Sequence, residues 1–327
     1  SKGVVLMGMD EALRRYPDIV RKHFAKLVSP ADNKFSALHY AVWSGGTFLY
    51  VPKGVQINLP LQSFFRIQGE GVGQFEHTLI VVEEGASVSY IEGCAAPIYS
   101  RDNLHSAVVE VFVGPRAHVR FTTIQNWSKN VINLNTKRAV VDEGGLMEWI
   151  GGSLGSRISV LYPSTILRGS GSRAEMHSIT LSKGESVKES GAKMIHLAPD
   201  THSNIISKSI SLGGGVAVYR GFVRFDENSR GSSSTVSCDS LIMDEFSEAY
   251  TYPEVQVESS DTSFNHEARS GRISDDVMFY ANSRGLSEDE ATNLFIQGFI
   301  SPVLKEIPLE HALELNKLLS LEVKGVG

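Results

Sequence analysis

The chain has 327 residues, 42% hydrophobic and 21% charged, with a formal net charge of −6. That is enough length and apolar content for a full core, and the acidic balance argues against a duplex-DNA or RNA binder, which needs a dominant basic face. No run approaches the ~20 apolar residues of a membrane span, and the apolar stretch near Ser1 to Met9 is too short for a secretory signal, so the expected location is cytoplasmic, or the plastid stroma after removal of a transit peptide.

From the start, Asp10 to Tyr16 and Pro17 to Val28 read as two short helices, with Pro17 tolerated as the first residue of the second because its missing N–H has no intrahelical partner there. Arg14, Arg15, Arg21, Lys22 and Lys26 cluster here, but Asp10, Glu11 and Asp18 intersperse them, the pattern of a solvated helix face. From about Ser44 to Ile273 the text changes to short runs of Val, Ile, Thr, Phe and Tyr alternating with polar residues, as in Ala107 to Val113. Turn glycines followed by a strand occur at Gly54, Gly85, Gly114, Gly144 and Gly171, at intervals of 31, 29, 30 and 27. Such a period implies stacked coils that complete one another's cores, a β-solenoid; a β-sandwich is the competing fold because the spacing is irregular. After Ser274 helical patterns return. Asp275 opens one helix, Ser287 and Glu290 form a capping-box pattern for a second, and a third begins at Pro308, its stripe of leucines expected to pack on the other helices. The expected division is a helical segment over 1–43, a β core over 44–273 and a helical domain over 274–327.

Several motifs lead nowhere. Gly151-Gly152-Ser153-Leu154-Gly155 matches a serine-hydrolase elbow, but the residues after it, Arg157 to Pro163, read as another strand rather than a helix. Neither glycine-rich stretch, at Gly169 or Gly213, continues into a P-loop, so any ATP must be bound by another subunit. The two cysteines, Cys94 and Cys238, lie 144 positions apart and are expected as free thiols. Cys94 follows a glycine and precedes a proline, which suggests an accessible turn thiol suited to sulfur handling. Period-two alternation puts Cys238 with Val236 and Ser240 on one strand face. His266 and Glu267, adjacent in an extended stretch, should point to opposite faces; Glu267 is expected on the Cys238 side as a metal ligand, with a surface salt bridge to Arg269 or Arg272 as the competing reading.

Gly45 to Pro52, Gly73-Gln74-Phe75-Glu76, Tyr90 to Cys94, Leu104-His105-Ser106-Ala107, Thr123 to Trp127 and Cys238-Asp239-Ser240 together resemble the SufB/SufD family of the Suf iron-sulfur assembly system. The resemblance runs from about Gly3 to Gly327. It implies a right-handed parallel β-helix core flanked by helical segments and a non-enzymatic scaffold that holds a transient iron-sulfur cluster, 4Fe-4S or 2Fe-2S. By the same resemblance Cys94 accepts persulfide sulfur, Arg66, Gln125, Trp127 and Lys137 line the transfer path, and Cys238, Glu267 and His266 hold the cluster. The implied partners are the ATPase SufC, docking from Asp275 onward; SufD or a second copy of this chain; a cysteine desulfurase with SufE or SufU as sulfur donor; apo iron-sulfur proteins or carriers; and reduced flavin in the complex. One thiolate with oxygen and nitrogen partners holds a cluster more loosely than four thiolates, which suits a scaffold. The sequence departs from the family pattern at Asn265, where many relatives have glutamate, and at Gln68, where asparagine is common. Two rivals remain. A SufD-like structural paralogue accepts no sulfur, and a polysaccharide lyase on the same fold cleaves in a calcium-dependent way; the Ile-Glu-Gly-Cys context of Cys94 favours the scaffold.

Overall fold

In the computed structural model, which describes residues 3–98, 100–307 and 309–323, successive strands alternate between two sheets. One sheet has eight strands, in chain order Leu61–Arg66, Ser87–Ala95, His118–Trp127, Leu146–Gly155, Arg173–Lys183, His202–Leu212, Ser232–Ile242 and Thr262–Gly271. The other has ten. After Val5–Gly8 it runs through Thr47–Val51, Gly73–Val82, Asn103–Val113, Val131–Val141, the pair Ile158–Leu161 and Ser164–Leu167, Val187–His196, Val216–Phe225 and Glu248–Val257. Every pairing is parallel except that of Val5–Gly8 with Thr47–Val51. Parallel neighbours about one repeat apart, such as Ile91 with Thr122 and Thr122 with Ile150, make this a β-solenoid and exclude the sandwich.

The repeat has a local cause. Gly85 takes φ +66°, a left-handed turn that side chains resist. Gly114 belongs to the same series for another reason: Arg116 takes the left-handed turn at φ 55°, and a Cβ on Gly114 would lie 2.9 Å from the Val82 carbonyl of the coil beneath. Between the sheets, alternate residues such as Val109, Val111, Phe121, Met147, Trp149 and Phe225 fill one continuous core.

Helices cover the outer faces, which near-continuous apolar strands of a parallel sheet require. The helices α1 (Met9–Arg15), α2 (Pro17–His23) and α3 (Lys34–Val42) lie at the first coils, where Met9, Ala12 and Val20 pack on Phe48, Leu79 and Val81. The second helix stops at His23, short of the expected Val28. Beyond it Ala25 is left-handed, and the amides of Ala25, Leu27 and Val28 donate instead to the fully buried Glu110 carboxylate at 2.7, 2.6 and 3.0 Å. Neither α3 nor Val5–Gly8 is foreseen in the sequence; α3 starts at Asn33, whose side chain accepts from the Phe35 and Ser36 amides. At the other end α4 (Asp275–Ser283), α5 (Glu288–Leu304) and α6 (Leu309–Val323) come last, with the Ser287–Glu290 capping box formed. Pro308, the expected start of α6, lies outside the described residues. The leucine stripe packs on more than helices: Leu315 and Leu319 join Ile296, Ile300 and Val303 against Ile150, Leu154, Ile179 and Ile210 on the outer face of the eight-stranded sheet. Gly152 explains the failed hydrolase motif, because it makes room for Leu315, which a Cβ there would meet at 3.1 Å.

Candidate functional site

Alternation along the strand Ser87–Ala95 turns Tyr90, Glu92 and Cys94 into the lumen and Gly93 outward, under the Phe64 ring. Cys94 is therefore a strand thiol with 1% exposure, not the accessible turn thiol expected. A proline three residues on ends the strand without exposing it. The Trp127 indole N–H, which can only donate, reaches Gln125 Oε1 at 2.7 Å. That turns the Gln125 amide N–H groups toward Cys94 Sγ at 3.3 Å and Thr123 at 2.8 Å. Lys137 Nζ donates to Glu92 Oε1 at 2.8 Å, with both side chains buried. Burial raises the Cys94 thiol well above its usual range, the Glu92 and Glu76 carboxylates raise it further, and Lys137 and Gln125 oppose them. The site thus holds Cys94 as a thiol while keeping donors beside the sulfur.

Arg66 stands apart from this group. It shares a strand face with exposed Gln62 and Phe64, opposite the inward face of Phe65, whose partner is Cys94. The structure instead brings up residues from the facing sheet to which the sequence gives no role: Glu76 and His105, each inside a stretch that carries the family resemblance, and Asn133, outside any of them. Glu76 Oε1 lies 2.9 Å from His105 Nε2, and Asn133 Oδ1 lies 2.7 Å from His105 Nδ1. Burial also raises the Glu76 carboxyl. The ligand atoms of Glu76, Cys94 and His105 all lie within 4.8 Å of one another.

Cys238 occupies the other end of the lumen. The register pairs Val236 with His266 and Cys238 with Ala268, so His266, not Glu267, shares the face of Cys238. Cys238 Sγ lies 3.3 Å from His266 Nε2, while Glu267 turns outward to Arg269. The opposite-face expectation holds with its sides exchanged, because Cys238 and the His266 partner position fall in phase across the ladder. Burial lifts the Cys238 thiol to about 11, with Asp239 adding and Thr251 subtracting.

The two thiols are free, and they are joined by a track. Across the eight-stranded sheet Glu92 stacks on Thr123, then Gly151, Ser178, Ser207 and Cys238. Two residues along, Cys94 stacks on Gln125, Ser153, Thr180, Ser209 and Ser240 in the adjoining column. Small hydroxyls thus stand along these two columns in place of aliphatic side chains. A cavity of about 30 Å³ opens midway, lined by Thr123, Ser178 and Lys188 together with Trp149, Leu161 and Met176, with room for a water-sized species.

The sequence matches the family model for the SUF system FeS cluster assembly SufBD core domain over residues 65–299, and that for the SufBD N-terminal region over 1–63. It is 50% identical over 325 residues to the iron-sulfur cluster assembly protein SufB of Bacillus subtilis, covering 99% of this chain and 70% of that protein. The same figures describe its similarity to an iron-sulfur cluster assembly SufBD family protein of Staphylococcus epidermidis. Among the described residues no helix is long and apolar enough to cross a membrane.

Proposed function

Since the chain belongs to the SufBD family of iron-sulfur cluster assembly proteins, close to SufB, we propose that it is a scaffold that takes in sulfur at Cys94 and builds a labile cluster at Cys238. The observation that carries this reading is the pair of adjoining inward-facing columns of hydroxyl, amide and glycine positions, one starting at Cys94 and the other ending at Cys238. In the first step the Cys94 thiolate attacks the outer sulfur of a donor persulfide, the donor's S–S bond breaks, and the donor leaves as a thiolate. The thiol proton must leave first, at a cost that burial increases. Once formed, the Cys94 persulfide anion is held by the Gln125 amide, with the Lys137 ammonium close by. Each sulfane sulfur needs two electrons to become sulfide, which a reduced flavin in the complex supplies. Arg66, exposed on the outer face of the strand beside that of Cys94, is assigned to the approach of the donor rather than to the interior path.

At the far end, Cys238 and His266 supply one thiolate and one imidazole, and Glu267 reaches the cluster only by leaving Arg269. Such a set is incomplete for a cluster. Its position supports completion by a partner: Glu248–Val257 and Thr262–Gly271 are the last strands of their sheets, and Tyr250, Tyr252, Val255 and Val257 are exposed. A second copy or SufD fits that end. The helices from Asp275 expose Val277, Phe279, Tyr280 and Leu294, an apolar surface that suits SufC.

Anaerobic reconstitution separates the roles. Cys238→Ala abolishes the brown chromophore whether sulfur arrives as free sulfide or from the donor system. Cys94→Ala abolishes it only with the donor; equal loss of both routes in Cys94→Ala overturns the assignment.

A further inference from the structure

Glu76, His105 and Cys94 make a cluster that sulfur acceptance does not need. Glu76 and His105 lie one coil apart on the ten-stranded sheet, and Cys94 faces them from the eight-stranded sheet. Exposures of 2%, 1% and 1% bury all three away from bulk solvent. We propose that these three residues form a binding site for a borderline-soft divalent cation of the ferrous class, with Cys94 Sγ, His105 Nε2 and Glu76 Oε1 as ligands. This site is distinct from the Cys238 end and does not depend on sulfur delivery.

Three features of the geometry carry the assignment. The first is spacing: the ligand atoms lie within 4.8 Å of one another, whereas metal bonds of about 2.0–2.3 Å hold tetrahedral ligands roughly 3.3–3.8 Å apart. Side-chain rotation closes that difference without moving a strand. The second is the tautomer of His105. Trp127 fixes Gln125 Oε1 as an acceptor; Asn133 Nδ2 donates to that oxygen at 3.3 Å and to Ser159 Oγ at 3.2 Å. Asn133 therefore turns Oδ1 to His105 Nδ1, which must donate, so Nε2 accepts from the Glu76 carboxyl, whose proton a bound cation would displace. An imidazole oriented by an amide on one nitrogen, with its other nitrogen facing a carboxyl that can join it as a ligand, suits a metal-bound histidine. The third is charge. A divalent ion with one thiolate and one carboxylate is neutral, which a water-poor interior tolerates. The mixed sulfur, nitrogen and oxygen donor set selects against magnesium and calcium. Three protein ligands also leave a fourth position for water or an incoming sulfur anion.

The test uses the full chain with Cys238→Ser, so that Cys94 is the sole thiol, titrated anaerobically with cobalt(II). A thiolate-to-cobalt charge-transfer band with intense visible ligand-field bands is expected at one equivalent. Glu76→Gln and His105→Gln should each weaken cobalt binding at least ~10-fold, and Asn133→Ala about 10- to 100-fold through the orientation of His105. No thiolate band in the folded protein overturns the proposal, as does a band that survives both ligand substitutions. Should the substituted chains fail to fold, alkylation of Cys94 in the Cys238→Ser chain decides the matter: zinc must slow it where magnesium does not, and equal rates overturn the site.

Discussion

Lys188 is 1% exposed, and its Nζ donates to the Gly155 and Ser156 carbonyls and the Ser156 hydroxyl rather than to a carboxylate. Burial lowers its pKa to about 7, with Glu322 acting weakly in the other direction. An unfolded lysine keeps its proton to about pH 10.4. Between those values the unfolded chain binds the extra proton, so folding stability attributable to this group rises with pH from about 7 and levels off near 10. Lys188→Met removes that slope. Across pH 8 to 10 the difference in unfolding free energy between wild type and variant should change by up to about 1.4 kcal/mol per pH unit. Urea unfolding at three pH values checks it, and parallel curves would mean that Lys188 stays charged when folded. The residue also lines the cavity between the two thiols.

Among the elements, α6 depends most on a single small contact. Leu315 sits over Gly152 on the outer sheet face, with Leu319 buried beside it. Gly152→Val drives a branched side chain into Leu315, and overpacking of this kind costs about 1–3 kcal/mol. The expected outcome is release of α6 with the β-solenoid intact, read as faster proteolysis after Leu304 at unchanged β-sheet circular dichroism. Resistance equal to wild type would show that α6 can shift to accommodate the methyl groups. The N-terminal helices are tied down by a different device, the Glu110 carboxylate, which also accepts from His77 at 2.9 Å. A helix boundary is decided there by a residue 82 to 85 positions away.

On the scale of the molecule, the distance between the thiols sets the problem. Five inter-strand steps separate the strand of Cys94 from that of Cys238, roughly 24 Å at about 4.8 Å per step. A disulfide tolerates Cα separations only to about 7 Å, so transfer of sulfur between them would need either a mobile species or intermediates along the column. Ser178 stands at mid-column and donates to Ser207 Oγ at 3.0 Å. Ser178→Ala removes the hydroxyl from the track without adding bulk to it. If sulfur follows the lumen, this variant loses donor-dependent cluster formation and keeps wild-type reconstitution from free sulfide. Full donor-dependent activity would route sulfur outside the solenoid.

The linear sequence by itself determined the solenoid, its period and the free thiols. Glycines near 30-residue intervals and period-two strands are local requirements of turn geometry and pleat, legible without neighbours. Capping at Ser287 was legible for the same reason. The sides of Cys238 and Glu267 were not, because alternation says which residues of one strand share a face but not the phase between strands, and register alone put His266 opposite Val236. Nor could the sequence place Glu76 and His105 against Cys94. They belong to the facing sheet, and which residues meet across the lumen depends on how the turns set one sheet over the other. That decision belongs to the tertiary structure, where burial then determines the charge states on which any chemistry at these thiols depends.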